Sequence, residues 1–220
     1  MTGTFFQRIL SGRVLPAVTF PVAKNASRIA ELFLKHGLNV MEIPLRTEFA
    51  LPAISEIRRN FPSMHVGAGT VLNVAQLQSA IDAGAMFGVS PGFNSAVCNA
   101  AVAGGIPFMP GVMTPTEMEF AVSAGYQVLK LFPAQQIGGV SFLQALREPY
   151  QHLDVQFIPM GGVNPQNMRQ YLSLANVLAV GGSWLATRAL ITSQDWATIE
   201  KNVEQAVNIR NQPADHSSHS

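Results

Sequence analysis

The chain has 220 residues, of which 48% are apolar and only 12% are charged. Intrinsically disordered proteins have the opposite balance, so the composition indicates a folded domain with a substantial core. The 14 basic and 13 acidic residues leave a net charge of +1 without a basic cluster, which argues against a nucleic-acid partner.

The chain carries no segment that predicts membrane insertion or export. No apolar run reaches the roughly 18 residues of a membrane span, and residues 1–11 lack a secretory core segment. We therefore expect a cytoplasmic protein without a membrane partner. Cys98 is the single cysteine, which excludes an internal disulfide. It lies in an apolar helical pattern and is interpreted as a buried structural thiol.

Short β-type runs alternate with helical segments along the whole chain. Residues Met1–Gly12 are expected to form a short first helix. The predicted strands are Val14–Thr19, Val40–Leu45, His65–Ala68, Met86–Ser90, Phe108–Pro110, Gln127–Phe132, Gln156–Pro159 and Val177–Val180. The predicted helices are Ala26–His36, Leu51–Asn60, Val74–Ala83, Ser95–Ala103, Pro115–Ala124, Val140–Arg147, Pro165–Leu174 and, at the end, about Ile191–Ile209.

Helix boundaries repeat the same chemistry. Gly37, Gly84 and Gly125 each follow a helical segment, where glycine commonly ends a helix in the left-handed conformation. Thr114 and Asn164 each precede a proline, a capping side chain followed by proline in the first turn.

This alternation predicts the fold class. Eight apolar strands, each followed by a helix, indicate parallel strands buried on both faces. Because no unit is missing, a closed (β/α)8 TIM barrel fits better than an open sheet. We expect residues 1–210 to form one domain and the polar residues 211–220 to form a disordered tail.

Reactive groups of such barrels lie at the carboxyl ends of the strands. Glu42 and Arg46 are four residues apart in the second strand region, so a regular strand points both to one side. A carboxylate inside an apolar strand needs a partner. A purely structural Glu42–Arg46 ion pair is the alternative interpretation.

Lys130 lies in the middle of the sixth apolar run. An ammonium is costly to bury, so this side chain either extends to the edge of the core or is held as a neutral amine. A neutral amine in an apolar cavity attacks a ketone to give a Schiff base. Lys130 together with an inward Glu42 in one barrel is compatible with fewer kinds of chemistry than either residue alone.

Paired glycines follow the last two strands, at Gly161-Gly162 and Gly181-Gly182, and Ser183 comes next. Backbone amides of these loops often bind phosphate in such barrels, although glycines also simply form turns. The histidines show no metal-ligand spacing, so no metal site is expected.

These motifs together resemble those of the KDPG/KHG aldolases, which act on 2-keto-3-deoxy-6-phosphogluconate or 4-hydroxy-2-oxoglutarate. The matching segments, in chain order, are Glu42 with Leu45-Arg-Thr-Glu48, Val66–Leu72, Val89–Gly92, Ile106-Pro107 with Pro110-Gly111, Lys130 with Phe132-Pro-Ala134, Gly138-Gly139, Gly161-Gly162 and Val180–Leu185. The resemblance implies a class I lyase on a (β/α)8 barrel that is typically a homotrimer, needs no cofactor and serves the Entner–Doudoroff pathway.

The resemblance also implies roles for individual residues. Lys130 falls at the Schiff-base lysine and Glu42 at the general acid/base. The remaining implied substrate contacts are Arg46 and Thr70 at the pyruvoyl carboxylate, Pro91 and Phe132 around the ketone, and Gly161, Gly162, Gly182 and Ser183 around the phosphate. Phosphorylated 2-keto-3-deoxy acids and pyruvate are the implied small-molecule partners.

Met160 departs from the family pattern, which has threonine before the paired glycines of the seventh loop. A thioether there cannot replace the hydrogen bond of a hydroxyl to the aldehyde end of the substrate. Selectivity for the aldehyde therefore remains open. The alternatives are an aldolase for the galactonate epimer or for unphosphorylated 4-hydroxy-2-oxoglutarate, a phosphosugar isomerase or epimerase on the same barrel, and a binding scaffold without catalysis.

Overall fold

The computed structural model describes residues 2–212. Its helices are α1 (Thr2–Ile9), α2 (Ala26–Lys35), α3 (Ala50–Asn60), α4 (Val74–Asp82), α5 (Ser95–Ala103), α6 (Pro115–Ser123), α7 (Gly139–Tyr150), α8 (Met168–Leu172), α9 (Arg188–Thr192) and α10 (Trp196–Asn211), and a 3₁₀ turn covers Ala23–Asn25. None of these helices is both long and apolar enough to cross a membrane.

The strands are β1 (Val14–Pro16), β2 (Val40–Pro44), β3 (His65–Gly69), β4 (Phe87–Val89), β5 (Phe108–Met109), β6 (Gly111–Val112), β7 (Val128–Leu131), β8 (Gln156–Pro159) and β9 (Val180–Gly182). All of their pairings are parallel, in the orders β1-β9, β2-β3-β4-β5 and β6-β7-β8. Isolated parallel bridges join Ala17 to Glu42 and Met160 to Gly181. These bridges close the ring, and the predicted (β/α)8 barrel is confirmed.

Apart from shifts of up to three residues at other ends, such as a first strand that ends at Pro16 rather than Thr19, three predicted boundaries were wrong. The fifth strand is split into β5 and β6 at Pro110, which has no N–H to donate to a ladder. The eighth barrel strand is β9, Val180–Gly182, rather than Val177–Val180, because Val14 pairs with Val180 and Pro16 with Gly182. The apolar run before Val180 was mistaken for the strand, although Val177 makes only an isolated bridge.

The third wrong boundary concerns the last helix, which is two helices, α9 and α10. Gln194 has a positive φ of 55°, and the Asp195 side chain accepts a hydrogen bond from Thr198 N and so begins α10. Asn211, assigned to the tail, is the last residue of α10. Residues 213–220 of the predicted tail lie outside the described part of the chain.

Most predicted helix ends are confirmed. Gly37, Gly84 and Gly125 have φ of +72°, +92° and +87°, the left-handed conformation that residues with a Cβ avoid. Thr114 caps α6 in a capping box with Glu117. Asn164 accepts hydrogen bonds from the two following turn amides, but α8 begins only at Met168.

Alternate strand residues point into the barrel and toward the helices, as the twofold period of a strand requires. The interior cluster includes Val40, Val128 and Ile158, and α1 covers it from the amino ends with Phe6 packed edge-on against Phe87. Glu42, Lys130 and Met160 each lie two residues beyond one of these interior positions. The same strand faces therefore carry the polar side chains to the carboxyl ends.

Candidate active site

A cavity of about 520 Å³ opens at the carboxyl ends of β2, β7, β8 and β9. Its lining includes the polar residues Thr19, Glu42, Arg46, Lys130, Asn164, Ser183 and Thr187, together with Pro44, Phe132, Met160, Trp184 and the loop glycines 161, 162 and 182. Active sites of (β/α)8 barrels lie at this end, where the loops of segments distant in sequence meet.

Glu42 and Lys130 meet at the floor of this cavity. Lys130 Nζ lies 3.5 Å from Glu42 Oε1, and the two side chains are only 6% and 2% exposed. Glu42 Oε2 is buried and has no hydrogen-bond partner among residues 2–212. Buried polar atoms are normally satisfied, so this oxygen retains the capacity to accept a hydrogen bond from a ligand.

The neighbouring strand makes room for this carboxylate. Gly69 pairs with Pro44 in the β2–β3 ladder, and a Cβ on Gly69 would collide with the Glu42 carboxyl group. Glycine is thus required at this position by the close approach of a side chain rather than by a turn. The missing side chain of Gly69 fixes where the Glu42 carboxylate lies.

Arg46 does not pair with Glu42, so the structural ion pair considered above is not formed. Arg46 Nε instead donates to Thr70 Oγ1 at 3.2 Å. Thr70 has a φ of 54°, an unusual backbone conformation for a β-branched residue. The strained turn after β3 therefore presents the Thr70 hydroxyl to Arg46 at the mouth of the cavity.

Two apolar side chains bound the space around the amine. The Phe132 ring centroid lies 5.3 Å from Lys130 Nζ, within cation–π distance. Met160 is buried, and its methyl group packs closely over Gly181. The wall beside Lys130 is therefore low in polarity, while Glu42 and Arg46 supply the polar groups.

Two glycine loops, after β8 and β9, also line the cavity. Gly161 and Gly162 have φ of +88° and +79°, and a Cβ on Gly162 would collide with Gln135. Gly182 and Ser183 follow β9 directly, where Ser183 is exposed to the cavity. Backbone amides in such loops are suited to an anionic group.

Nine of the eleven site residues predicted from the sequence line this cavity. Thr70 lies beside it and is connected through Arg46. Pro91 packs its backbone against Gly111 and is not part of the lining. Sequence analysis did not assign Thr19, Asn164, Trp184 and Thr187 to the site, because only barrel closure brings their loops to the cavity. Trp184 lies within one of the family-like segments and Asn164 was identified only as a capping residue.

Cys98 fits its predicted structural role. The thiol is buried in α5, and burial raises its pKa, which disfavours the reactive thiolate. Tyr126 donates to the Cys98 carbonyl at 3.1 Å and has its own pKa raised by burial. This pair lies outside the cavity lining.

A second polar cluster connects α2 with α10 away from the cavity. His36 Nε2 lies 2.9 Å from Glu200 Oε1 and 4.0 Å from Glu204 Oε1, a three-residue arrangement that the histidine spacing did not show. Lys35 donates to the same Glu200 oxygen. Because the Lys35 ammonium already pairs with the Glu200 carboxylate, we interpret the cluster as an ion-pair network between the two helices.

Comparison with known proteins places the geometry in context. The model of the aldolase family "KDPG and KHG aldolase" matches residues 6–202. The KHG/KDPG aldolase of Escherichia coli K12 is 39% identical over 199 residues, which cover 90% of this chain and 92% of that protein. The 2-dehydro-3-deoxy-phosphogluconate aldolase of Pseudoalteromonas atlantica is 40% identical over 196 residues, covering 89% of this chain and 90% of that protein.

A solved structure shows the same architecture. The KDPG aldolase of Legionella pneumophila, with pyruvate captured at low pH as a covalent carbinolamine, superposes with a TM-score of 0.86. It is 32% identical, and the match covers 92% of this chain and 97% of that one.

Proposed function

The chain belongs to the KDPG and KHG aldolase family, and from this membership we propose that it reversibly cleaves 2-dehydro-3-deoxy-6-phosphogluconate (KDPG) to pyruvate and glyceraldehyde 3-phosphate. The observation that carries the proposal is the buried contact of Lys130 with Glu42 on the cavity floor. It provides an amine and a proton-transfer group within reach of one bound ketone.

Lys130 is the proposed nucleophile. Its neutral amine attacks the C2 ketone of the substrate to form a carbinolamine, and loss of water gives the iminium. The Phe132 side chain bounds the space in which the ketone would approach this amine. The iminium nitrogen then serves as the electron acceptor for carbon–carbon cleavage, so the reaction requires neither a metal nor an organic cofactor.

Glu42 is the proposed proton carrier. It donates a proton to the departing water of the carbinolamine and then accepts the C4 hydroxyl proton, directly or through water. As the C3–C4 bond breaks, its electron pair forms the enamine and the aldehyde leaves. Protonation at C3 and hydrolysis of the resulting iminium release pyruvate and the free amine. The unpartnered Oε2 supports this role.

The cavity lining offers partners for both anionic groups of this substrate. Arg46, held by Thr70, is the proposed partner of the pyruvoyl carboxylate. The backbone of Gly161, Gly162 and Gly182, with the Ser183 hydroxyl, is proposed to bind the phosphate. Phe132 and Met160 are proposed to bound the ketone and aldehyde region, whereas Pro91 is not part of the cavity lining.

We also propose that the protein acts in the cytoplasm as a homotrimer, in the Entner–Doudoroff pathway. Support for self-association is the exposure of large apolar side chains near α4, α5 and α6. Val102 and Phe120 are 70% and 61% exposed, and Phe120 stacks on Phe93 with ring centroids 6.5 Å apart. A surface with few charges is also expected where subunits meet.

A substrate panel tests the proposed activity. Pyruvate release is measured with KDPG, with its galactonate epimer and with 4-hydroxy-2-oxoglutarate. We expect release from KDPG, with slower release from 4-hydroxy-2-oxoglutarate. Release from the galactonate epimer alone would replace the proposed substrate, and release from none of the three would favour the isomerase or epimerase alternative.

A further inference from the structure

A side chamber of about 280 Å³ adjoins the active-site cavity. It lies over the ends of β1, β2 and β9, and four of its lining residues also line the active-site cavity. The shared residues are Thr19, Arg46, Ser183 and Thr187. The two spaces therefore form one continuous cleft, and Ser183 is one of the residues where they join.

Arg188 is the residue that gives the chamber a charge of its own. It is exposed, it is the first residue of α9, and it lines only the chamber. The Arg188 carbonyl accepts from Thr192, but its guanidinium makes no hydrogen bond or ion pair with another residue of the described range 2–212. All of its donors are therefore available to a ligand.

The other chamber groups have hydrogen-bonding capacity to spare. Thr47 Oγ1 donates to the Phe20 carbonyl and can still accept, whereas Thr187 Oγ1 accepts from Leu190 N and can still donate. Among residues 2–212, no aspartate or glutamate lines the chamber. Within the same described range, the lining of the whole cleft carries three cationic side chains, Arg46, Lys130 and Arg188, and the single carboxylate of Glu42.

We propose that the side chamber receives the anionic end of the aldehyde half of the substrate, and that Arg188 is the residue that selects a phosphate there. This inference rests on the proposed function, because it assigns one end of the same substrate. A phosphate beside Ser183 would lie where the two spaces join, and a planar guanidinium can bind two of its oxygens. Arg188 does not strengthen the binding of substrates whose aldehyde half is uncharged.

The experiment compares the phosphorylated and dephosphorylated six-carbon ketoacids as substrates. The variants are Arg188→Gln, Arg188→Lys and, as a control, Arg59→Gln, which removes an exposed arginine of α3 outside both cavities. Exchange of the pyruvate methyl protons serves as a reference reaction, because pyruvate carries no phosphate for Arg188 to bind.

We expect Arg188→Gln to lower kcat/KM for the phosphorylated substrate on the order of tenfold, mainly through KM, since it removes a charge-assisted hydrogen bond. Activity on the dephosphorylated ketoacid and methyl exchange should change less than about twofold. Arg188→Lys should recover part of the loss, because a lysine keeps the charge but not the planar fork. Arg59→Gln should behave as the unmodified protein.

Two results would overturn the assignment of Arg188. One is an unchanged kcat/KM for the phosphorylated substrate, which would mean that Arg188 is only a solvated surface residue. The other is an equal loss on both ketoacids and in methyl exchange, which would mean a general structural role. Failure of the proposed function is a separate observation, because the unmodified protein would then release no pyruvate.

Discussion

Glu42 has one carboxylate oxygen 3.5 Å from Lys130 Nζ and a second oxygen without a partner among residues 2–212. A buried carboxylate of this kind is costly to stability unless a ligand or a proton completes its interactions. At the scale of single residues, the barrel therefore retains a locally unfavourable arrangement whose benefit is realised when substrate binds.

Replacing Glu42 by glutamine keeps the side-chain volume and removes the proposed proton carrier. General acid/base groups contribute about 10²–10⁴-fold, so turnover of Glu42→Gln should fall by that order. NMR of methyl proton exchange in pyruvate measures the enamine step without an aldehyde. Glu148→Gln, an exposed change in α7, is the control. Exchange at the unmodified rate in Glu42→Gln would show that another group moves the proton.

Met160 occupies the position at which the resemblance leads us to expect threonine. Losing one neutral hydrogen bond is worth about 0.5–1.5 kcal/mol, so Met160→Thr should raise the preference for KDPG over its galactonate epimer roughly 2- to 13-fold. Because the buried Met160 packs over Gly181, the free energy of unfolding of the variant should also be lower by about 1–3 kcal/mol. The ratio of kcat/KM for the two epimers measures the first effect, and urea unfolding measures the second.

Two outcomes for Met160→Thr would change the interpretation. An unchanged epimer ratio would place the selectivity at Ser183 and the phosphate loops. A large fall in pyruvate methyl exchange would assign Met160 to the pyruvoyl pocket instead of the aldehyde end.

At the scale of secondary-structure elements, the periodicity of apolar residues predicted side-chain direction correctly in strands whose residues are buried. The inward direction of Glu42 and Lys130 follows from alternation in β2 and β7, which the sequence alone indicates. The short strand β9 could not be located in this way, because glycines at 181 and 182 have low strand propensity and are held by pairing with β1. Such pairing is a long-range property that local patterns do not contain.

Loop residues of the site were unpredictable for a related reason. Thr19, Asn164 and Trp184 come from three separate loops, and they meet only because the barrel closes. The break at Gln194 had a local signal in the cap Asp195, but the apolar pattern on both sides of it suggested one continuous helix.

The ion-pair network between α2 and α10 gives a pH-dependent prediction at this scale. The hydrogen bond from Lys35, followed by that from His36, lowers the pKa of Glu200 to about 2 from an ordinary value of 4.5. The stabilisation is therefore complete above about pH 5 and is lost as the pH falls toward 2. Glu200→Gln should lower Tm at pH 6 but not near pH 2.

Thermal unfolding of Glu200→Gln between pH 2 and pH 6 measures this effect, with Glu148→Gln again as the control. The size should be modest, because the pair is at the surface and is screened by salt. A Tm difference that stays constant over the whole pH range would contradict the role assigned to the Glu200 carboxylate.

For the whole molecule, the exposed apolar surface around Phe120 predicts self-association. Phe120→Glu places a charge in the proposed subunit contact and should shift the protein from trimer to monomer at micromolar concentration. Ala145→Glu, on the exposed face of α7, is the matched control. Light scattering after gel filtration measures the mass; an unmodified protein that is already monomeric would contradict the proposed trimer.

The most direct test of the proposed chemistry is the position of the covalent adduct. The chain has only four lysines, and Lys24, Lys35 and Lys201 are exposed whereas Lys130 is buried beside Glu42. After borohydride reduction with pyruvate and proteolysis, mass spectrometry should find one reduced pyruvoyl group, on the peptide that contains Lys130. Folded Lys130→Arg, verified by circular dichroism, should carry none. An adduct on another lysine, or one that persists in Lys130→Arg, would contradict the assignment of Lys130 as the Schiff-base residue.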